Sequence, residues 1–247
     1  MPRFFVTDEQ INGNEISILG ADAHHVSRSL RMAAGECITV MDTAGHVYEC
    51  RLRSFLEGRV VADVLSVSTS NTESPYDITL FQALPKGDKL DSVIQKSVEC
   101  GVLAIVPFES ERCVVKVKPE AEGKKQERRV RIAEEAAKQC GRGRLPTVDK
   151  TVSFEEMLTR AAKADLPLFC FEGEGTVPLG RVLLDKKPPT GATVSVIVGS
   201  EGGFSLAEAE RAVQAGCIPV GLGKRILRTE TAPIVALSCL CCLGELT

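Results

Sequence analysis

The sequence is poor in aromatic residues and has no tryptophan at all. Tyrosine occurs twice and phenylalanine nine times, so only 4% of the 247 residues are aromatic, although 44% are hydrophobic. Such an aliphatic composition favours an α/β protein over an aromatic-rich β-sandwich. The chain is long enough for one large domain or two of moderate size.

Long apolar runs and a strong excess of one charge are also missing. No apolar stretch approaches the length that spans a membrane, and residues 1–6 lack the long apolar core of a signal peptide. We therefore expect a soluble, cytoplasmic protein with no membrane partner. The formal net charge of -3 is mild. Binding to nucleic acid would therefore need a local basic patch.

Cysteine is plentiful, but its spacing lacks the pattern of a metal or disulfide framework. The ten cysteines include no C-x-x-C pair, and the sequence has only three histidines. Three of the cysteines crowd one apolar stretch near the C-terminus, at positions 239, 241 and 242. We expect reduced, mostly buried thiols of a cytosolic protein, and no metal site.

The first 72 residues predict a small β-rich domain. One helix, from about Asp22 to Leu30, interrupts the strands. A polar stretch of small residues from Ser66 to Pro75 predicts a linker. We place the domain boundary there, with domains 1–72 and 73–247. The predicted strands are Ile16–Leu19, Cys37–Met41, Val47–Arg53 and Arg59–Val67.

After this boundary, apolar strand patterns alternate with helical ones. Repeated units of this kind predict a largely parallel sheet flanked by helices. The predicted strands are Asp77–Ala83, Leu103–Phe108, Leu166–Phe171, Val194–Val198 and Ile218–Val220. The predicted helices are Lys89–Glu99, Lys124–Cys140, Phe154–Lys163, one that begins after Ser205, and Ala232–Leu246. Ser205 and Glu208 have the spacing of a capping box at the start of the fourth helix.

Three glycine-rich loops follow three of these strands. They comprise residues 171–175, 199–204 and 221–231. In an open α/β sheet, loops at the carboxyl ends of strands gather in one crevice, which is where ligands bind. The alternative is that these glycines only form tight turns in the sheet.

The composition of the loops argues against a phosphate ligand. No G-x-x-x-x-G-K-[ST] or G-x-G-x-x-G motif is present, and Glu172 and Glu201 place negative charge inside the loops. Carboxylates beside exposed backbone suit a ligand with ribose hydroxyls or a positive centre. S-adenosylmethionine has both.

The two later loops carry a specific resemblance. Residues 199–204, GSEGGF, and 222–232, LGKRILRTETA, resemble the signature segments of the RsmE family, the 16S ribosomal RNA (uracil-N3)-methyltransferases of the SPOUT superfamily. Ser200 departs from the family, which more usually has proline there. The likeness covers nearly the whole chain and extends to residues 25–31, 82–91, 94–101, 110–112 and 133–142.

The resemblance implies a fold that general topology rules do not. It implies a C-terminal α/β domain with a trefoil knot that binds S-adenosylmethionine, an N-terminal PUA-like barrel that helps to hold RNA, and a homodimer. Topology rules alone predict an unknotted open sheet, since true knots are rare. The implied substrate is N3 of a uridine in 16S ribosomal RNA of the small subunit. The last helix is apolar nearly all round, which also favours burial against a second copy.

The loops and the resemblance together predict the residues of the site. For the cofactor they are Phe171, Glu172, Gly173, Val198, Gly199, Glu201, Gly202, Gly203, Leu222, Gly223, Ile226, Leu227, Arg228, Thr231 and Ala232.

The chemistry of a uracil N3 acceptor then suggests the catalytic residues. Neutral N3 carries a proton, so the enzyme must favour its loss and stabilise the charge that spreads to O2 and O4. Arg228 is the first choice for this stabilisation. Glu201 and Glu230 are candidates for the base or for orienting Arg228, or they simply cap backbone N–H groups. Nitrogen attacks directly, so no cysteine nucleophile is needed.

Positive charge is concentrated between residues 124 and 144. This region predicts either an RNA-binding surface or a solvated helix face, and the loop position of Arg142 and Arg144 favours RNA for these two. The full predicted RNA-binding set is Arg3, His25, Arg28, Arg31, Lys86, Arg112, Arg142 and Arg144. Scarce aromatic residues favour recognition of folded RNA by shape.

Two other functions remain open at this level. One is a methyltransferase of the same superfamily that acts on transfer RNA or on a ribose 2′-hydroxyl. The other is a non-catalytic RNA-binding protein with a dead nucleotide pocket, against which the intact glycines, Glu201 and Arg228 count.

Overall fold

The computed structural model describes residues 1–117 and 119–246. By its internal contacts the chain forms two compact units. The first contains residues 1–73 and 137–145, and the second contains residues 74–136 and those from 146 onwards. We expected the boundary after residue 72 and a continuous second domain. The structure instead groups the short segment 137–145, the end of a long helix and the loop after it, with the first unit.

The first unit is built on a six-stranded sheet. The strand order is β1-β4-β5-β6-β3-β2, with β1 parallel to β4 and every other pair antiparallel. Alternate residues of β3, such as Ile16 and Ile18, are fully buried, because successive side chains of a strand point to opposite faces. The strands are β1 (Arg3–Phe5), β2 (Ile11–Asn12), β3 (Glu15–Leu19), β4 (Cys37–Met41), β5 (His46–Leu56) and β6 (Arg59–Thr69).

Two predictions for this unit need correction. The predicted linker begins too early, because Ser66–Thr69 belong to β6, whose last five residues are exposed and include three small polar ones. The predicted single helix is a short helix α1 (Gly20–His24) that continues into a π-helical turn at His25–Ser29. Arg31 follows with a φ of 52°, in the left-handed region that non-glycine residues rarely adopt.

The second unit is built on an eight-stranded sheet in which every pair is parallel. The order is β10-β8-β7-β13-β11-β14-β12, and β9 pairs with β8 as well. The predicted parallel sheet is thus confirmed. The strands are β7 (Asp77–Ala83), β8 (Ala104–Glu109), β9 (Thr147–Val148), β10 (Val152–Ser153), β11 (Leu166–Cys170), β12 (Val177–Pro178), β13 (Thr193–Val198) and β14 (Ile218–Gly221).

Six helices connect these strands. The prediction missed α5, and it started α3 five residues too late, at Lys124 instead of Pro119. No helix within residues 1–117 and 119–246 is both long and apolar enough to cross a membrane. The helices are α2 (Lys89–Glu99), α3 (Pro119–Cys140), α4 (Phe154–Ala161), α5 (Leu179–Lys186), α6 (Leu206–Gln214) and α7 (Ala232–Glu245).

Candidate active site

The three glycine-rich loops converge on one cavity of about 850 Å³ at the carboxyl ends of β11, β13 and β14. All the predicted cofactor positions line this cavity except Thr231. Thr231 lies instead at the start of α7, where its backbone N–H donates to the Arg228 carbonyl at 2.8 Å. The arrangement of parallel strands therefore brings the predicted loops together, as the crevice rule requires.

The Gly199 loop turns sharply and is held by a buried phenylalanine. The Gly203 N–H donates to the Ser200 carbonyl at 2.9 Å. Phe204 is 5% exposed and packs against Phe169, with ring centroids 4.3 Å apart. The predicted capping box at Ser205 is confirmed, since each partner's side chain accepts a hydrogen bond from the other's backbone.

Close packing explains why the loops contain glycine. A Cβ on Gly199 would lie 3.1 Å from the Phe204 ring, and one on Gly202 would lie 3.0 Å from Cβ of Arg112. A Cβ on Gly173 would come within 2.2 Å of the Phe171 ring. A side chain at any of these three positions would therefore force a neighbouring side chain or the loop itself to shift.

Buried hydrogen bonds tie the cavity wall to the sheet. The hydroxyl of Thr229, which is 5% exposed, donates to the Gly199 carbonyl at 2.7 Å. Nε2 of the fully buried Gln82 donates to Thr229 Oγ1 at 3.0 Å and to the Gly199 carbonyl at 3.3 Å. Sequence reasoning missed both roles. The available signal was Gln82 itself, a polar residue in the otherwise apolar end of β7.

Lys89 connects the two glutamates that were predicted as catalytic. Its Nζ lies 2.8 Å from Glu201 Oε1 and 3.5 Å from Glu230 Oε2. Glu201 also accepts from the Lys86 backbone N–H at 3.1 Å. Partial burial alone would raise the pKa of Glu201, but the hydrogen bond from Lys89 and the backbone donors outweigh it, so the pKa is lowered. Sequence reasoning did not single out Lys89.

Two arginines border the cavity differently. Arg228 is exposed, lines the cavity and has no ion-pair partner within the described chain. Arg112, which was predicted to bind RNA, also lines the cavity and donates from Nη1 to the Gly202 carbonyl at 3.0 Å. Arg112 therefore supports the Gly199 loop, whereas the guanidinium of Arg228 is available to a ligand.

The cysteines of the second unit include one at the cavity. Cys170 lines it, and burial raises the pKa of this thiol to about 12. Burial likewise raises the pKa of Cys217 to about 11. Such thiols stay protonated at neutral pH and are poor nucleophiles. The described residues contain no group of three or more histidine, cysteine or acidic side chains that could hold a metal ion.

The predicted RNA-binding residues of the first unit's sheet and helix are solvent-exposed. Arg3, His25, Arg28 and Arg31 all have exposed side chains, and the His25 ring meets the ring of Phe4 edge-on at 6.3 Å between centroids. The π-helical turn and the positive φ of Arg31 lie in this same segment. Irregular backbone of this kind is often found at functional sites.

Half of the six basic residues of α3, by contrast, are paired with carboxylates. Arg128 binds Asp91, and Arg129 Nη1 lies 3.1 Å from Glu122 Oε1. Within the first unit, Lys138 Nζ lies 2.7 Å from Asp22 Oδ1. These ion pairs favour the interpretation of α3 as a structural and solvated helix over that of an RNA-binding surface.

The prediction that Arg142 binds RNA needs revision. Arg142 is 3% exposed, and its Nη2 and Nε donate to the two oxygens of Glu73 at 2.6 and 3.0 Å. The backbone N–H groups of Gly143 and Arg144 donate to the same carboxylate at 2.8 and 3.1 Å. Arg142 is thus committed to an internal ion pair and presents no face to RNA, whereas the side chain of Arg144 remains exposed.

The fold and the cavity define an α/β protein with a cavity of small-molecule size at its strand ends, and comparison with known proteins gives the family. The model of a family described as an RNA methyltransferase domain matches residues 72–241. The chain is 36% identical to the ribosomal RNA small subunit methyltransferase E of Bacillus subtilis, over 100% of this chain and 98% of that protein. It is 34% identical to the protein of that name from Synechocystis, over 96% and 76%.

A solved structure agrees with these matches. The crystal structure of a ribosomal RNA small subunit methyltransferase E from Neisseria gonorrhoeae, bound to S-adenosyl methionine, superposes with a TM-score of 0.86. The two chains are 35% identical, and the alignment covers 100% of each. The chain therefore belongs to the RNA methyltransferase domain family and, within it, to the ribosomal RNA small subunit methyltransferase E, or RsmE, family. The resemblance in the sequence is confirmed.

Proposed function

We propose that this chain is a methyltransferase that uses S-adenosylmethionine to methylate ribosomal RNA of the small subunit. Full-length relatives with that name in B. subtilis and N. gonorrhoeae support the activity, and the latter binds S-adenosyl methionine. The observation that carries the proposal is the convergence of three glycine-rich strand-end loops on one cavity. We further propose that the protein acts in the cytoplasm.

The residues of the cavity fit this cofactor. Its volume of about 850 Å³ lies within the range of small-molecule pockets, which is roughly 300–1,000 Å³. Phe171, Val198 and Leu222 supply apolar wall for an adenine ring, and the exposed Glu172 offers carboxylate oxygens to ribose hydroxyls. When bound, S-adenosylmethionine supplies a methyl group carried on a sulfonium. The negative charge of Glu172 also suits a ligand with a positive centre.

The finer proposal is that the acceptor is N3 of a uridine. Loss of the N3 proton spreads negative charge to O2 and O4 of the ring, and a positioned donor at these oxygens stabilises that charge. We assign this role to Arg228. Its support is that the guanidinium lies at the cavity, is exposed and has no ion-pair partner in the described chain.

We propose that Glu201 and Glu230 position the loops instead of accepting the proton. A general base works best when its pKa lies near the working pH, and the pKa of Glu201 is shifted in the opposite direction. Lys89 approaches both carboxylates and so joins the Gly199 loop to the loop that carries Glu230. Alignment of the two reactants contributes to the rate even without a strong base.

The finer architecture is also a proposal. We propose the trefoil knot in the second unit, supported by the buried Thr229, which ties the loop after β14 to Gly199 and Gln82. We propose that the six-stranded sheet of the first unit is a PUA-like RNA-binding barrel, supported by its exposed Arg28 and Arg31. Homodimerisation is supported by the nearly all-apolar sequence of α7.

The decisive experiment is methyl transfer to a defined substrate. Purified protein is incubated with labelled S-adenosylmethionine and small ribosomal subunits from a strain that lacks this methylation, and the ribosomal RNA is then digested to nucleosides. We expect label in 3-methyluridine. Label in a ribose or only in added transfer RNA would contradict the proposed acceptor. Absence of both transfer and calorimetric heat with S-adenosylmethionine would contradict a methyltransferase altogether.

A further inference from the structure

We infer that residues 224–226 form an RNA-docking element at the mouth of the cavity, in which Lys224 and Arg225 bind phosphates and Ile226 contacts a base. This inference rests on the proposed function, because it presumes that ribosomal RNA is the substrate. We call these three residues the mouth segment. None of the RNA-binding residues predicted from the sequence lies in it.

The cations of the mouth segment have no ion-pair partner in the described chain, unlike Arg128, Arg129 and Lys138 of α3. Lys224 and Arg225 are exposed, line the cavity and have no ion-pair partner in the part of the chain that the structure describes. Together with Arg228 they place three cations within five consecutive residues. Free cations beside a reaction site attract a polyanion and release its counterions on binding. Two carboxylates line the same cavity: Glu201 is engaged by Lys89, and the exposed Glu172 is assigned to the ribose hydroxyls of the cofactor.

Both ends of this loop are fixed by the fold. On one side the loop follows β14, which is paired with β11 and β12. On the other side Thr229 is buried and bonded to Gly199, and the Ala232 N–H donates to the Arg228 carbonyl at 3.0 Å. The mouth segment is therefore presented by an anchored backbone, which lowers the entropic cost of ordering it on a partner.

Ile226 adds an apolar contact that a purely electrostatic surface would lack. It is 83% exposed although it lines the cavity, and Leu206, which lines the same cavity, is 72% exposed. Both side chains therefore offer apolar surface to a ligand at this cavity. The alternation of cations with an apolar side chain suits RNA, which offers phosphates and the apolar faces of unstacked bases. The sequence predicts Ile226 as a cofactor residue, but its exposure leads us to assign it to the substrate instead.

The test compares two double variants that remove the same charge. Lys224→Ala/Arg225→Ala removes the mouth cations, and Lys124→Ala/Lys125→Ala removes two exposed lysines of α3. Affinity for small ribosomal subunits is measured as a function of salt, and affinity for S-adenosylmethionine is measured by calorimetry. We expect the mouth variant to bind subunits about tenfold more weakly, with the slope of log K against log salt reduced by about 1.4 to 1.8. The α3 variant should stay within about twofold of wild type.

The outcomes separate this inference from the proposed function. If wild type binds and methylates subunits but the α3 variant loses at least as much affinity as the mouth variant, the inference is overturned and the proposed function stands. If wild type transfers no methyl group to subunits, the proposed function itself fails. A mouth variant whose subunit affinity is unchanged but whose sedimentation indicates a different assembly would assign the segment to a second copy of the chain, and would likewise overturn the inference.

Ile226→Ser tests the apolar part separately. It should weaken subunit binding by several-fold without changing the salt slope, because no ionic contact is lost, and should leave affinity for S-adenosylmethionine within about twofold. A larger loss of cofactor affinity than of subunit affinity would place Ile226 in the cofactor site and remove it from the docking element.

Discussion

Helix α3 and the loop between β14 and α7 are both rich in lysine and arginine, but their charges meet different surroundings. In and just after α3, Arg129 faces Glu122 and Arg142 grips Glu73 with two hydrogen bonds. In the loop, Lys224, Arg225 and Arg228 are exposed and without an ion-pair partner in the described chain. In the first region the buried Arg129 and Arg142 are neutralised by carboxylates. In the second region the cations are accessible to a ligand.

The number of cations in a segment therefore predicts their availability to a ligand less well than the position of the nearest carboxylate does. A buried cation needs a partner, because an unpaired charge in the interior is costly. An exposed cation needs none and is therefore free to bind phosphate or a developing negative charge. Substitutions in the two regions should accordingly affect different quantities, stability in one and turnover or binding in the other.

The largest effect is expected at the cavity. Arg228→Ala should lower kcat by about 10²- to 10³-fold, the range for loss of one donor to a developing negative charge, while affinity for S-adenosylmethionine changes little. Arg131→Ala, which removes an exposed arginine of α3, is the matched control and should keep nearly full kcat. Single-turnover kinetics and calorimetry measure the two quantities. Equal losses of kcat and cofactor affinity in the first variant would contradict the assigned role.

The next effect is on stability. Arg142→Met should reduce the free energy of unfolding by about 2–3 kcal/mol, somewhat less than the 3–5 typical of a fully buried pair, because Glu73 is partly exposed and keeps its backbone donors. Chemical denaturation measures the change, with Arg131→Ala, which removes an exposed arginine of α3, as the control. If Arg142→Met unfolds like wild type but binds subunits much more weakly, Arg142 contacts RNA and its ion pair with Glu73 is not what stabilises the fold.

The pH dependence of stability is a second test of the ion pair between Arg142 and Glu73. Burial alone would raise the pKa of Glu73, but the hydrogen bond and charge of Arg142 and the backbone donors outweigh it and lower the pKa. The stabilisation is therefore present above the unfolded-state pKa of about 4.3 and is lost as the pH falls through the lower folded-state pKa. Glu73→Gln should show a smaller loss of stability in this acid range than wild type.

The smallest effect is expected at Lys89, a cation that belongs to the site but is paired. Lys89→Met should change stability little, since the ion pair is solvent-screened, but should weaken S-adenosylmethionine binding several-fold as the two loops loosen. Lys89→Arg should restore most of the cofactor affinity. A loss of kcat as large as that of Arg228→Ala, with cofactor affinity intact, would make Lys89 catalytic instead of positioning.

Patterns local in sequence predicted most of the fold. Strand β7 and helix α2 begin and end where their apolar periodicity does, and Ser205 caps α6 as its spacing with Glu208 indicates. The shortest elements were missed, because two-residue strands such as β9 and β12 have no periodicity to detect. The polar end of β6 resembled a linker because that part of the strand is exposed.

The sequence predicted the loops of the candidate site but not the ion pairs of its charged residues. The glycine-rich strand ends could be read directly, because a parallel sheet brings such ends together. The partner of Arg142 lies 69 residues away, and that of Lys89 lies 112 residues away. No local pattern reveals which distant carboxylate an arginine or lysine meets. The sequence therefore could not tell Arg142, which is internal, from the free cations of the mouth.

The hydrogen bonds of the Thr229 hydroxyl determine when the cavity can form during synthesis of the chain. The hydroxyl joins Gln82 and Gly199, which lie 147 and 30 residues away along the chain. A nascent polypeptide that has emerged as far as Phe204 already contains two of the three loops, but Thr229, which anchors the third, has still to be synthesised. The growing chain should therefore acquire affinity for S-adenosylmethionine late in translation and in a single step. Binding of S-adenosylmethionine to the growing chain would indicate that all three loops are in place.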